Sequence, residues 1–379
     1  MKILMLNANL IGVGTYHRAL WFARMCAEAG HEVTVCTTGR ANYWKRNFLS
    51  DRPNVTIIEG PRAGFDLYPG KGSNIDILWR LKYLLKDDFD VIYTFEYHPN
   101  VSWPVLFGRR GRRMINDWCD LYAGAANVFK GRKWMHRWDA KREAGIRRRA
   151  DLVTVISDFL GAKAREIGVP PEKVVLIREG VDTNYMRPFD KAESRARLGL
   201  PADAKIITTL QDGAAFPPLL ESLKALREKD QKVALLFVGR MREDQKKLVA
   251  EKDLSDAVVT TGFCSDEDLP KNLCAGDVAA LPMVDSLANI SRFPHKIGDY
   301  IACGLPLVVT NIGEYPLMLK EGDLSEVTPT GTAFTAALEN LLNDAERRED
   351  LSKRAREWVV EKLDWQVLKK SIVQCVEGN

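Results

Sequence analysis

KILMLNANLIGVGTYHRALWFARMCAEAGHEVTVCT, residues 2–37, decides the architecture of the chain. Lys2–Asn7 is a short apolar run, and Asn9–Gly14 follows as a loop containing Gly12 and Gly14. From Thr15 to Ala29, Ala19, Phe22, Ala23 and Cys26 recur at i, i+3, i+4 and i+7, the spacing of a helix with one buried face. Gly30 stands where a helix end favours a residue that tolerates positive φ, and Glu32–Thr37 reads as a second strand. Strand, glycine loop, helix, strand is a βαβ unit. Position 17 is His, so the third glycine of G-x-G-x-x-G is absent, which argues against a nicotinamide-dependent dehydrogenase.

Strand-like runs recur at Val55–Ile58, Val91–Phe95, Met114–Ile115 and Leu152–Ile156, with helical stretches between most of them. Such alternation predicts a parallel sheet covered by helices on both faces. The pattern restarts in the second half. Strands are expected at Ile206–Leu210, Val233–Val238, Val258–Thr260, Val278–Leu281 and Leu307–Thr310. Helices are expected at Leu219–Lys229, Arg242–Lys252 and Pro294–Ala302. A chain of 379 residues exceeds the usual single domain, and two domains of roughly 150–200 residues are the default. The expected division is 1–185 and 190–363, with the crossing in TNYMRPFD, 183–190. The tail is helical at Ala333–Asn343 and Ala345–Lys362; LDW at 363–365 interrupts it, and Gln366–Val376 resumes.

A hydrophobic content of 46% with 28% charged residues permits two sizeable cores. The net charge of +4 is too small to imply nucleic acid. The charge is clustered instead: Arg109, Arg110, Arg112 and Arg113 form one group, and the stretch from Lys130 to Arg149 forms another. The second, GRKWMHRWDAKREAGIRRR, interleaves Trp134, Met135 and Trp138 with cations. It reads either as a peripheral contact with anionic membrane or as a helix packing its tryptophans inward. Seven scattered cysteines without C-x-x-C read as thiols of a reducing cytoplasm. The N-terminus is too polar for a signal peptide, and no apolar run approaches the ~20 residues of a membrane span. A cytoplasmic protein is expected, able to sit at the inner face of the membrane. DDFD at 87–90 precedes a strand and reads as a solvated turn, so no metal site and no cofactor are expected.

Four stretches occur in the order of one family: GHEVTV at 30–35, VISDFLGAKAREIGVPPEKVVLIREGVD at 155–182, CGLPLVVTNIGEYPLML at 303–319 and LDWQVL at 363–368. The chain resembles the GT-B glycosyltransferases, most closely glycosyltransferase family 4. The resemblance implies an α/β fold of two Rossmann-like domains whose parallel sheets face an interdomain cleft. It implies an acceptor on the first domain, a nucleotide sugar on the second, transfer with retention of configuration, and a C-terminal helix, 364–379, returning to the first domain. The implied donor is a nucleoside diphosphate hexose, bound without metal; the implied acceptor is a hydroxyl of a glycan or a lipid-linked sugar.

Residues 291–311, SRFPHKIGDYIACGLPLVVTN, contain the predicted donor site. A helix start offers free N–H groups and partial positive charge to an anion. On the family pattern of Glu-x7-Glu, Ser291 takes the first acidic position and Asp299 the second. Lys296, Ser291 and Arg292 are then expected to hold the pyrophosphate and Asp299 the ribose. The family usually also places Arg and Lys after the first strand of domain two; TLQDGAAFPPLLESL, 209–223, has neither, and Arg240 in VGRM, Arg292 or Lys296 is the expected substitute. Asp117, in MINDWCD, stands where the family often has a catalytic His, and Glu96 and His98 end the preceding strand. These three are the catalytic candidates; His17 is weaker. Gly12 and Gly14 are expected to let backbone approach the donor phosphate. Two rival readings remain: a nucleotide- or glycan-binding GT-B-like protein or partner subunit without turnover, and a nucleotide-sugar epimerase.

Overall fold

The computed structural model describes residues 1–39, 52–61, 66–68, 71–122, 133–210 and 213–378. Two compact units account for the chain. The first comprises Met1–Glu179, Ser291–Phe293 and Trp365–Asn379; the second comprises Gly180–Ile290 and Pro294–Asp364.

The first unit opens with β1 (Lys2–Leu10), α1 (Tyr16–Glu28), β2 (Glu32–Thr38) and β3 (Val55–Gly60). A small hairpin, β4 (Asp66–Tyr68) and β5 (Lys71–Ser73), precedes α2 (Asn74–Lys86). Then follow β6 (Val91–Phe95), α3 (Pro99–Gly108), β7 (Arg113–Trp118), α4 (Lys133–Arg149), β8 (Leu152–Val155), α5 (Asp158–Glu166) and β9 (Val174–Leu176). The strand order is β3-β2-β1-β6-β7-β8-β9, parallel throughout. Ile3, Leu4, Met5 and Leu6 are all buried, because helices cover both faces of a parallel sheet and leave no side of β1 to water.

The second unit contains α6 (Lys191–Leu198), β10 (Lys205–Thr209), α7 (Phe216–Lys229), β11 (Val233–Phe237), α8 (Glu243–Glu251) and β12 (Val258–Thr260). It continues with α9 (Leu269–Leu273), β13 (Val278–Leu281), α10 (Leu287–Ser291), α11 (His295–Ala302), β14 (Leu307–Thr310), α12 (Glu314–Glu321) and β15 (Glu326–Thr328). Its strand order is β12-β11-β10-β13-β14-β15, again parallel. The tail is α13 (Thr332–Asn343), α14 (Ala345–Leu363) and α15 (Trp365–Glu377).

Two strands run well beyond their expected ends. β7 runs to Trp118 rather than stopping at Ile115, and β1 runs past Asn7 to Leu10. In both, buried polar side chains stand inside a strand because each finds a partner. Asn116 Nδ2 donates to Thr94 Oγ1 at 2.9 Å, and Thr15 Oγ1 donates to Asn7 Oδ1 at 2.8 Å. The second unit begins at Gly180, three residues before the segment 183–190 in which the crossing is expected. Val181 N donates to Leu363 O at 2.8 Å, and Asp364 accepts from Thr183 N at 3.2 Å, tying this segment to the end of α14.

α15 packs within the first unit. Trp365 stacks on Trp21 of α1, ring centroids 5.6 Å apart, and meets Phe22 edge-on. Trp365, Ile372, Cys375 and Val376 share one core with Phe22, Met25, Val33 and Tyr93. The second unit has its own core, built on Ile207, Leu219, Leu223, Leu235, Val278 and Val308.

Candidate functional site

Each sheet reverses its winding once. In the first, successive strands run from β1 outward through β2 and β3, and from β6 outward through β7, β8 and β9. In the second, the reversal falls between β10 and β13. Ligands of open α/β sheets bind outside the strand carboxyl ends at such a point.

In the second unit, that point is fastened to α11. Lys296 Nζ donates to Leu210 O at 2.9 Å, and Leu210 N donates to Tyr300 Oη at 2.6 Å. Leu210 directly follows β10, so an ammonium group stands at the carboxyl end of a switch-point strand. Thr310, ending β14, accepts from Met283 N at 2.7 Å and donates to Met283 O at 3.1 Å, which fixes the loop after β13. Pro294 is the N-cap of α11 rather than its first helical residue, with ψ of 112°. This follows from the extended conformation that the segment retains up to the helix. Lys296 therefore lies in the first turn. Asp299 lies three residues on, about one turn along the same face, mostly buried, with His295 Nε2 3.9 Å from its carboxylate. Gly298 permits the fit: a Cβ there would stand 2.4 Å from Val181 Cγ2.

Ser291 and Arg292 belong to the first unit, whereas Lys296 and Asp299 belong to the second. Ser291 is buried and its carbonyl accepts from Ser157 Oγ at 2.5 Å. Arg292 is 3.2 Å from the Asp120 carboxylate. Arg240 follows Gly239 beyond β11 and is exposed.

The three catalytic candidates, Asp117, Glu96 and His98, are all buried. Asp117 is buried at the end of β7. Its carboxylate accepts from Arg18 Nε at 2.9 Å and Nη2 at 3.1 Å, and from Thr154 Oγ1 at 2.7 Å. Arg18, itself buried, also donates to Ile177 O at 2.6 Å and Arg178 O at 3.1 Å. Asp117 is thus the acidic half of a core ion pair joining α1 to β7.

Glu96 is buried and sits at φ 68°, a left-handed conformation unusual for a residue with a side chain. One carboxylate oxygen accepts from Cys119 N at 3.0 Å and Asp120 N at 2.9 Å; the other accepts from Arg147 Nη2 at 3.2 Å. Burial pushes the Glu96 carboxyl up to about 7, against the pull of Arg147. Glu96 therefore shapes the loop after β7. His98 is buried with its ring stacked on Tyr97 at 5.1 Å and edge-on to Tyr122 at 5.0 Å.

Gly12 and Gly14 follow β1 with φ of 74° and 57°. A Cβ on Gly14 would lie 2.9 Å from Asn9 Nδ2, which is held by Thr15 Oγ1 at 2.7 Å. Sequence reasoning missed Arg18, Arg147 and Tyr300 as fold-positioning residues; Arg147 was hidden within the basic run Arg147–Arg149. In DDFD, Asp87 ends α2, Asp88 points to solvent and Asp90 accepts from Lys2 N at 2.7 Å. Of the basic stretch, residues 130–132 lie outside the described residues, as do Gln211 and Asp212 of the 209–223 stretch.

Comparison with known proteins agrees across both units. The family described as Glycosyltransferase Family 4 matches residues 12–185, and Glycosyl transferases group 1 matches residues 190–358. The chain is 28% identical over 231 residues to MMP alpha-(1->4)-mannosyltransferase of Mycolicibacterium hassiacum, covering 60% of this chain and 54% of that protein. It is 25% identical over 238 residues to the putative colanic acid biosynthesis glycosyltransferase WcaL of Salmonella typhimurium, covering 61% and 57%. The matched region thus spans little more than half the length of these relatives. Among solved structures, sucrose-phosphate synthase from Thermosynechococcus elongatus superposes with a TM-score of 0.80 at 19% identity, covering 100% of this chain and 98% of that one. WaaG, a glycosyltransferase involved in lipopolysaccharide biosynthesis, gives 0.74 at 15% identity, with 100% of both chains covered. Two family descriptions in register with two parallel-sheet units lead to one conclusion: the chain belongs to the GT-B glycosyltransferases, in glycosyltransferase family 4.

Proposed function

We propose that this protein is a retaining glycosyltransferase that moves a hexose from a nucleoside diphosphate sugar to a hydroxyl of a glycan or lipid-linked acceptor. The observation that carries this reading is Lys296, held in the first turn of α11 at the carboxyl end of β10. Its ammonium donates to the Leu210 carbonyl, and a diphosphate adds full opposite charge on the acceptor side of such a bond. Amides of the α11 N-terminus add their partial positive charge. Asp299 is assigned to the ribose hydroxyls. Arg240 and Arg292 supply the charge that 209–223 lacks, and Gly12 and Gly14 let backbone approach the donor. Ser291 is assigned to the pyrophosphate through its hydroxyl.

With Asp117 and Glu96 turned inward, no protein nucleophile is invoked. The bond from the anomeric carbon to the leaving phosphate breaks as the acceptor oxygen bonds that carbon on the same face. The acceptor proton passes to the departing phosphate oxygen. Stabilising that phosphate is then the largest contribution, and no metal or cofactor is assigned. Relatives' names fit a hexose and a nucleotide: a GDP-mannose-dependent mannosyltransferase of Mycobacterium tuberculosis, and Anabaena Alr3699/HepE in complex with UDP and glucose. They differ in base. We assign the protein to the cytoplasm.

A thermal-shift series with UDP, GDP, ADP and TDP tests the reading, since a ligand of the folded form raises the melting temperature. One of the four is expected to do so, and Lys296→Ala is expected to weaken it by about tenfold or more, the worth of a hydrogen bond to a charged group. A shift retained in full by Lys296→Ala refutes the assignment. The absence of Arg and Lys in 209–223 favours one other reading, nucleotide binding without turnover. Labelled nucleotide sugar separates the two: transfer or slow hydrolysis supports the enzyme, and binding alone supports the rival.

A further inference from the structure

Helices α2 and α3 are apolar on more sides than the core requires. α2 buries Ile77, Arg80 and Leu84. On its opposite face Ile75, Leu78 and Leu85 are exposed, Leu78 at 63%, with Lys82 and Lys86 between them and also exposed. α3, PNVSWPVLFG, has no charged residue, yet Leu106 is 47% and Phe107 74% exposed. The two helices lie side by side: a Cβ on Gly108 would stand 2.8 Å from Leu81 and 3.0 Å from Leu84. α3 is apolar nearly all round, and such a helix is normally enclosed by something.

The rim of this face is basic. Arg109-Arg110-Gly111-Arg112-Arg113 follows α3 directly. Arg112 donates to Leu84 O at 2.8 Å and Asp87 O at 3.1 Å, and Arg113 donates to Val376 O at 2.6 Å. Their hydrogen-bond partners here are carbonyls, and Arg112 also pairs with Asp88 at 3.9 Å. Arg109 pairs with Asp151. Arg110, at φ 49°, is exposed beyond Phe107, and Lys82 and Lys86 are exposed on α2. Asp87, Asp88 and Asp90 follow α2 as the opposing charge.

We propose that the α2–α3 face docks on an anionic lipid bilayer. Leu78, Leu106 and Phe107 enter the boundary between headgroups and acyl chains, and Lys82, Lys86 and Arg110 meet lipid phosphates. Apolar side chains flanked by cations have this complementarity. A second copy of the chain does not: a two-fold interface would set the same basic rim against itself. The surface differs from the basic stretch at 130–149. Among the described residues of α4, Trp138 is the one large apolar side chain exposed, and Arg142 covers it at 4.6 Å. Asp139, Glu143 and Arg147 make its inner side ionic. The proposal does not depend on the catalytic reading, because Phe107 lies nine residues along α3 from His98, roughly 13 Å at the helical rise.

Sedimentation of the full chain with phosphatidylcholine vesicles, with and without phosphatidylglycerol, tests it. Binding is expected with phosphatidylglycerol and little without. Leu78→Glu and Phe107→Glu are each expected to lower partitioning about tenfold through lost apolar burial. Lys82→Gln, Lys86→Gln and Arg110→Gln together are expected to lower it about a hundredfold, near fivefold per cation. Melting curves check that each variant folds; should either glutamate variant fail, Leu78→Gln with Phe107→Ser carries the same test. No binding to phosphatidylglycerol vesicles overturns the proposal. So does loss with Trp138→Glu but not with the α2–α3 variants. Concentration-dependent self-association in the ultracentrifuge, abolished by Phe107→Glu without vesicle binding, overturns it in favour of a homodimer face.

Discussion

Arg18 and Asp117 show how one buried pair can occupy residues that a strand end seems to offer to substrate. Three hydrogen bonds at 2.7–3.1 Å fill the Asp117 carboxylate. Arg18→Ala leaves that carboxylate buried and uncompensated, and is expected to cost about 3–5 kcal/mol. Asp117→Asn keeps a hydrogen-bonding group and is expected to cost less; chemical denaturation measures both. Glu96 makes a separate prediction. Its carboxyl ionises near 7 when folded, against an ordinary value of 4.5, because burial disfavours the charge. Between those pH values the folded protein binds more protons than the unfolded chain. Stability from this group is therefore full below about 4.5 and falls as pH rises toward about 7, by up to about 1.4 kcal/mol per pH unit. Glu96→Gln is expected to flatten that slope in denaturation series at several pH values.

At the scale of elements, α11 and α15 carry the most testable weight. α11 reaches Val181 through Gly298, where even a methyl group meets Val181 Cγ2 at 2.4 Å. Gly298→Ala is expected to destabilise by about 1–3 kcal/mol through overpacking, and to move Lys296 away from Leu210 O. Reduced nucleotide affinity beside a lowered melting temperature is the expected result. α15 contributes Trp365, 2% exposed, to the core around Phe22. Trp365→Ala is expected to cost about 3–5 kcal/mol, read from the denaturant midpoint. The same substitution is expected to leave intact the part of the nucleotide-induced shift that Lys296, Asp299 and Arg240 supply, since these lie in the other unit.

At the scale of the whole molecule, two sheets with separate cores repeat one plan, and each places its winding reversal next to a glycine- or helix-bounded strand end. The plan was legible because it rests on local pattern: apolar runs of strand length, helical spacing between them, and glycines at the turns. Buried polar positions were not legible. β7 reads as ending at Ile115 because Asn116 and Asp117 look like loop residues, and nothing local shows that Thr94 and Arg18 wait for them.

By itself, the sequence determined the two α/β repeats, the helix beginning near Pro294 and the early lysine and later aspartate within it. Periodicity, glycine placement and side-chain identity are properties of neighbouring residues. Tertiary structure alone decided that Asp117 and Glu96 face inward, that Ser291 and Lys296 belong to different units, and that an outward apolar face lies on α2 and α3. Each depends on which partner stands across the fold, at separations such as the 99 residues between Arg18 and Asp117, where no local pattern carries the information.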